Sequence, residues 1–242
     1  MGGEQFDRRW IILGGFAVVA VAIVAVILIS RGGGSSGSSS TTASKEQGAD
    51  KEGGAKEAGS SCKEVEQPEP REESLPKPKQ TVQKGEKLTA VVETNCGTFD
   101  IALATSEAPV IANSFAYLIE EGFYDELTFH RIVPEFVIQG GDPLGTGAGG
   151  PGYTVVEAPP KNLKYTKGTV AMAKTSTAPA GSAGSQFYIV TGPQGETLPP
   201  EYALAGRVTS GMNVVETIGE LGGPEEKPTE PIVIEKMSIE RG

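Results

Sequence analysis

Phe129-His130-Arg131-Ile132-Val133-Pro134-Glu135-Phe136-Val137-Ile138-Gln139-Gly140-Gly141-Asp142 is the stretch on which the reading of this 242-residue chain turns. Thr128 to Ile132 and Phe136 to Gln139 are short runs rich in β-branched and aromatic residues, divided by Pro134-Glu135 and closed by a Gly-Gly pair. Such runs read as two strands. The period of two along a strand puts Val137 and Gln139 on one face, so Phe136 reaches that face only from the other side or from a bent strand.

The same texture continues outward. Leu88 to Glu93 and Thr98 to Leu103 form a hairpin across Asn95-Cys96-Gly97, and further strands are expected at Thr169–Ala173, Gln186–Val190, Ala203–Val208 and Ile232–Ile239. Pro109 to Glu121 reads as a helix, with an early Pro, apolar Ile111, Phe115, Leu118 and Ile119 at helical spacing, and Gly122 as its stop. A second helix is expected near Met212 to Gly219. Many short strands with two helices predict a mainly β fold, a closed antiparallel barrel rather than a parallel sheet.

The N-terminal third differs in kind. Trp10 to Ile29 carries no charge, and about twenty such residues in a helix span roughly 30 Å, the thickness of the hydrocarbon core. Arg8 and Arg9 precede it, and only Arg31 follows closely, which puts the N-terminus in the cytoplasm and the remainder outside. A cleaved secretory signal is the competing reading, and it too exports the domain. Residues 31–86 are Gly/Ser-rich, then Pro/Glu/Lys-rich, with too few apolar residues to offset the entropy of ordering. The expected organisation is therefore a short cytoplasmic segment (1–9), a transmembrane signal-anchor helix (10–30), a disordered linker (31–86) and one folded domain (87–242).

Residues 86–242 carry twenty acidic against ten basic side chains, while the segments before them balance. A surface so acidic repels phosphate backbones, so nucleic acid is not an expected partner. With two cysteines and one histidine, no structural metal and no cofactor are expected. Gly145-Thr146-Gly147-Ala148-Gly149-Gly150 satisfies a G-x-G-x-x-G pattern, but Pro151-Gly152 follows where a helix N-terminus would have to hold a pyrophosphate. A tight surface loop is expected instead. Cys62 and Cys96, 34 positions apart, leave two readings open in an oxidising compartment, a disulfide or two free thiols.

The run Phe129–Asp142 resembles the signature segment of the cyclophilins, a family of peptidyl-prolyl cis/trans isomerases. Gly145-Thr146-Gly147, Val170-Ala171-Met172-Ala173, Gly184-Ser185-Gln186-Phe187-Tyr188-Ile189, Gly206-Arg207-Val208 and Gly211-Met212 follow in that family's order and with similar gaps, over about residues 88–239. The resemblance implies a closed eight-stranded antiparallel barrel with two capping helices, preceded here by the membrane anchor and linker. It implies no cofactor and proline-containing polypeptide clients. Tyr202 falls where many relatives carry histidine and some bacterial ones tyrosine, so the chain reads as a bacterial, membrane-anchored member acting on exported or unfolded chains.

The chemistry can be argued from the residues. The bond before proline is a tertiary amide with isomers about 0.5–1 kcal/mol apart and a barrier of about 18–20 kcal/mol, because the nitrogen lone pair is conjugated with the carbonyl. Lowering that barrier takes a pocket for the ring and a donor aimed at the nitrogen as its lone pair localises. Arg131 suits the donor, being permanently charged with N–H groups in a fixed plane, and Gln139 can steady the guanidinium or the substrate carbonyl. The resemblance assigns those two residues the same catalytic roles. It lines the proline pocket with Phe136, Val137, Tyr188, Leu198 and Tyr202, and it gives the peptide backbone to Gln186 and the main chain at Ala173, Lys174 and Thr175. Val137 stands where methionine is common, and Thr197 where the family often has a tryptophan that contacts cyclosporin, so weak cyclosporin binding is expected. The competing reading is a module that grips unfolded exported chains without accelerating isomerisation, and the presence of both Arg131 and Gln139 speaks against it. His130 lies beside apolar Phe129 and Ile132 and reads as a satisfied structural histidine rather than a proton carrier.

Overall fold

A computed structural model describes residues 62–242. The chain runs β1 (Leu88–Thr94), β2 (Gly97–Leu103), α1 (Pro109–Glu120), β3 (Leu127–Thr128), β4 (Arg131–Val133), β5 (Val137–Gly140), β6 (Val155–Val156), β7 (Thr169–Met172), β8 (Ser182–Ala183), β9 (Phe187–Val190), β10 (Leu204–Ser210), α2 (Met212–Glu220) and β11 (Val233–Arg241). Nine strands form one antiparallel sheet in the order β3-β11-β1-β2-β10-β7-β9-β5-β4, and β6 pairs with β8 apart from it. The strand expected over Thr128–Ile132 is split: Phe129 and His130 leave the ladder and carry the chain from one end of the sheet, β3, to the other, β4. Two intervening residues hold Thr128 and Arg131 within about 11 Å of each other, at 3.8 Å per Cα step. The sheet therefore curls round on itself. Its two ends share no ladder, so the expected eight-stranded closed barrel is replaced by a curled nine-stranded sheet with two helices.

Periodicity explains the core. Helix α1 buries Ile111, Phe115, Leu118 and Ile119 against the sheet. It ends as expected: Gly122 has φ +70°, its N–H donates to the Ile119 carbonyl at 3.0 Å and that of Phe123 to the Leu118 carbonyl at 2.9 Å, the paired bonds of a Schellman cap. Phe115, Tyr124, Phe129 and Phe187 meet edge to face with ring centroids 5.2–5.9 Å apart, the geometry that ring quadrupoles favour.

The linker expectation needs correction over residues 62–86. The transmembrane helix expected at 10–30 lies outside the described residues, among which no helix is long and apolar enough to cross a membrane. Residues 62–86, by contrast, run as an extended strap along the folded domain. Cys62 is bonded to Cys96 in the β1–β2 turn. The Arg71 guanidinium donates to the carbonyls of Asp125 (2.9 Å) and Phe123 (2.7 Å). The Arg71 and Leu75 amides donate to Pro143 and Pro151 of the glycine-rich loop, both at 2.9 Å. Asn113 of α1 accepts from the amides of Thr81 and Val82, and Val82 is buried. Hydrogen bonds to main chain and a covalent staple order this segment, supplying what its low apolar content could not.

Candidate active site

The sheet is apolar on both faces where β4, β5, β7 and β9 meet. Ile132, Ile138, Val170, Met172, Phe187 and Ile189 point into the main core, and the residues between them face the other way. Those alternate residues build a second cluster: Val137, Tyr165, Ala171, Tyr188 and Val190 are buried, with Phe136, Leu163, Ala173, Leu198 and Tyr202 packed half-buried against them. Six positions expected to bind substrate, Phe136, Val137, Ala173, Tyr188, Leu198 and Tyr202, thus share one cluster.

Cross-strand register sets the polar end beside it. Ala171 of β7 lies opposite Tyr188 of β9, Tyr188 opposite Gln139 of β5, and Gln139 opposite Arg131 of β4. Directly opposed residues share a face, so the four form one row across four strands, with neighbouring strands roughly 4.8 Å apart. Phe136 joins from a bend: Glu135 has φ +59°, the Phe136 amide donates to Val133 at 3.1 Å, and β5 begins one residue later.

A chain of hydrogen bonds orients the row. Arg131 Nη1 donates to Gln139 Oε1 at 3.3 Å, Gln139 Nε2 to Gln186 Oε1 at 3.0 Å, and Gln186 Nε2 to the Gly149 carbonyl at 2.9 Å. A carbonyl only accepts and a guanidinium only donates, so the two ends dictate which way both amides point. Gly149 is held in turn by the loop around Asp142, a buried carboxylate that accepts the amides of Leu144 (2.8 Å), Thr146 (2.9 Å) and Gly147. This is the tight loop expected at the G-x-G-x-x-G run. A cleft of about 800 Å³ separates that loop from strap residues 71–74, with Gly149 and Gly184 in its wall.

Lys174 is expected to contribute its main chain. Its side chain is 4% exposed, with Nζ 3.5 Å from the Glu201 carboxylate, 3.2 Å from the Ala178 carbonyl and 5.4 Å from the Tyr202 ring centroid. It braces the loop under Tyr202, leaving only its main chain for a substrate. Both ring nitrogens of His130 are buried with no side-chain partner among the described residues, and that burial lowers its pKa from the ordinary value against the opposing pull of Asp142 and the Thr128 backbone.

Two contributors escape sequence reasoning. The Tyr165 hydroxyl donates to the Tyr202 carbonyl at 2.7 Å and accepts from its amide at 3.0 Å, and burial pushes its pKa up to about 12. It fixes the segment that carries Tyr202, yet it stands in a lysine-rich loop with no periodic signal. Glu226, whose Oε2 lies 2.6 Å from Arg131 Nε, is one acid among many in this acidic domain. Burial also raises the Tyr188 pKa well above its ordinary value, so its hydroxyl stays protonated, and it too has no partner among the described residues.

The family model "Cyclophilin type peptidyl-prolyl cis-trans isomerase/CLD" matches residues 89–239. A "Peptidyl-prolyl cis-trans isomerase-like 1" of Gibberella zeae is 37% identical over 154 residues, covering 62% of this chain and 93% of the relative. A peptidyl-prolyl cis-trans isomerase of Dictyostelium discoideum is also 37% identical over 154 residues, 62% of this chain and 96% of that protein. The crystal structure of a cyclophilin-type isomerase of Cryptosporidium parvum, determined in the presence of the dipeptide Ala-Pro, superposes with a TM-score of 0.59 at 31% identity, covering 64% of this chain and 99% of that one. These relatives are eukaryotic and lend the bacterial expectation no support.

Proposed function

The chain belongs to the cyclophilin-type peptidyl-prolyl cis/trans isomerase family, and from that premise we propose how its groove accelerates X-Pro isomerisation. The proline ring sits on the apolar cluster of Val137, Tyr188 and Phe136. As the C–N bond twists, conjugation is lost and the nitrogen lone pair localises. Arg131, at the polar end of the row, donates to that lone pair, an interaction absent while the amide is planar and therefore one that lowers the barrier. Gln139 and Gln186 keep the guanidinium in place. The observation that carries this reading is the single row Ala171–Tyr188–Gln139–Arg131, which sets apolar floor and cationic donor side by side on one face.

The experiment is NMR exchange or a protease-coupled assay on an Ala-Pro peptide. Gln139→Ala should reduce the rate with little change in melting temperature, because Gln139 is half-exposed and both its bonds go to side chains of the groove. Loss of folding in its place would make Gln139 a core residue.

We infer further that Trp10 to Ile29 anchors the protein and that its clients are exported or unfolded polypeptides. The support is the uncharged run and the flanking Arg8 and Arg9, and thiol accessibility in intact cells is the check on that orientation. Cyclosporin should bind weakly. Thr197 is exposed and its hydroxyl donates to the Gln194 carbonyl at 2.7 Å, offering neither an indole N–H nor the area of one. Thr197→Trp should strengthen cyclosporin binding in a titration, and no gain would sink this reading.

A further inference from the structure

Arg131 is held from two sides. Besides Gln139, it meets Glu226, ninety-five positions on, with Nε 2.6 Å from Oε2. The turn carrying Glu226 follows α2 and is fitted to β4. A Cβ at Gly222 would lie 2.6 Å from Pro134 Cδ and 2.8 Å from the Ile132 carbonyl. The Gly223 amide closes the turn on the Lys227 carbonyl at 2.6 Å, and the Lys227 amide on that of Pro224 at 3.2 Å. Inside it Glu225 and Glu226 take φ of +58° and +61°. Two successive left-handed residues with side chains are costly, and such strain persists only where the surroundings impose it. What the strained turn delivers is a carboxylate at the Nε edge of the guanidinium.

We propose that Glu226 is the positioning residue that sets the plane of the Arg131 guanidinium for catalysis; this rests on Arg131 being the donor to the prolyl nitrogen. A guanidinium offers five N–H groups in one plane. Glu226 takes the one on Nε, and Gln139 one on Nη1 at 3.3 Å. Bonds on two different edges fix both the location and the roll of the plane, leaving both N–H groups of Nη2 uncommitted among the described residues. Without Glu226 a single long bond remains, and the plane is free to turn about it. The pair is part-exposed, with side-chain exposures of 33% and 53%, so solvent screens the loss of positive charge that the carboxylate brings.

The test compares Glu226→Ala, Glu226→Gln and Arg131→Ala in the full chain with the same Ala-Pro peptide. Glu226→Ala should lower kcat about three- to fivefold with KM nearly unchanged, the range open to an exposed ion pair. Glu226→Gln keeps an acceptor oxygen and should recover most of that loss. Added salt should slow the native enzyme and leave Glu226→Ala indifferent, and the Arg131 Nε proton should exchange slowly only in the native protein. An unchanged melting temperature shows that the turn still folds. A kcat and an Nε proton indifferent to Glu226 while Arg131→Ala is impaired would overturn the positioning role alone. A rise in activity would overturn it too, making Glu226 a restraint on the guanidinium. No loss in Arg131→Ala would remove the donor reading and this proposal with it.

Discussion

Arg131→Ala is expected to lower kcat/KM on an Ala-Pro peptide by at least about tenfold, equivalent to 1.36 kcal/mol or more of transition-state stabilisation. The loss should fall on kcat. The guanidinium acts on a lone pair that exists only in the twisted state, so a planar substrate binds almost as well without it. Folding should be intact, because the Arg131 side chain is a third exposed and the buried residue of β4 is its neighbour Ile132. Arg131→Lys should fall between the two, since a lone ammonium cannot engage Glu226 and Gln139 on separate edges and still face a substrate. Full activity in the alanine variant would remove the mechanism; a collapsed melting curve would reassign Arg131 to the framework.

Breaking the Cys62–Cys96 bond should destabilise the domain by about 3–4 kcal/mol, the chain-entropy value for a loop of this size. At about 2–4 °C per kcal/mol for a domain of this length, the melting temperature falls by roughly 10 °C. A mobile linker would have discounted that figure, because its entropy would survive folding. Here the enclosed strap is itself ordered, held through Arg71, Leu75 and Val82, so the bond acts at full strength. Cys96→Ser, with melting followed with and without reductant, gives the number. Thiol counting in denatured protein taken without reductant should find no free sulfhydryl; two reactive thiols would end the claim, and thiols shielded until lysis would also reverse the outward orientation.

The legible part of this protein is the part written in periodicity. Alternation along Phe136–Gln139 put Val137 and Gln139 on one face, and the eight-residue gap between Arg131 and Gln139 is that of two positions opposed across one tight turn. The ninth strand was not legible, because residues 127–133 hold no Gly or Pro to mark a break and only tertiary pairing divides them at Phe129-His130. Nor was the strap. Its partners are carbonyls at Phe123, Asp125, Pro143 and Pro151, and main-chain acceptors leave no trace in a sequence. Nor was the course of the Lys174 ammonium, which folds back to the Ala178 carbonyl and the Glu201 carboxylate.

The staple at Cys62 also decides how the domain bears mechanical load. Tension arriving from the N-terminal side enters at Cys62 and passes through the sulfur bridge into the β1–β2 turn, bypassing residues 63–86. The strap is therefore slack in the force path, and its bonds to the glycine-rich loop that supports Gln186 are not peeled by a pull from that side. Reduction reroutes the tension through Lys63 and onward to Arg71 and Leu75, each resting on hydrogen bonds of 2.7–2.9 Å. The oxidised form can be tugged without loading the strap, whereas in the reduced form the pull passes the Lys63–Asn95 pair and then reaches the bonds that hold the glycine-rich loop.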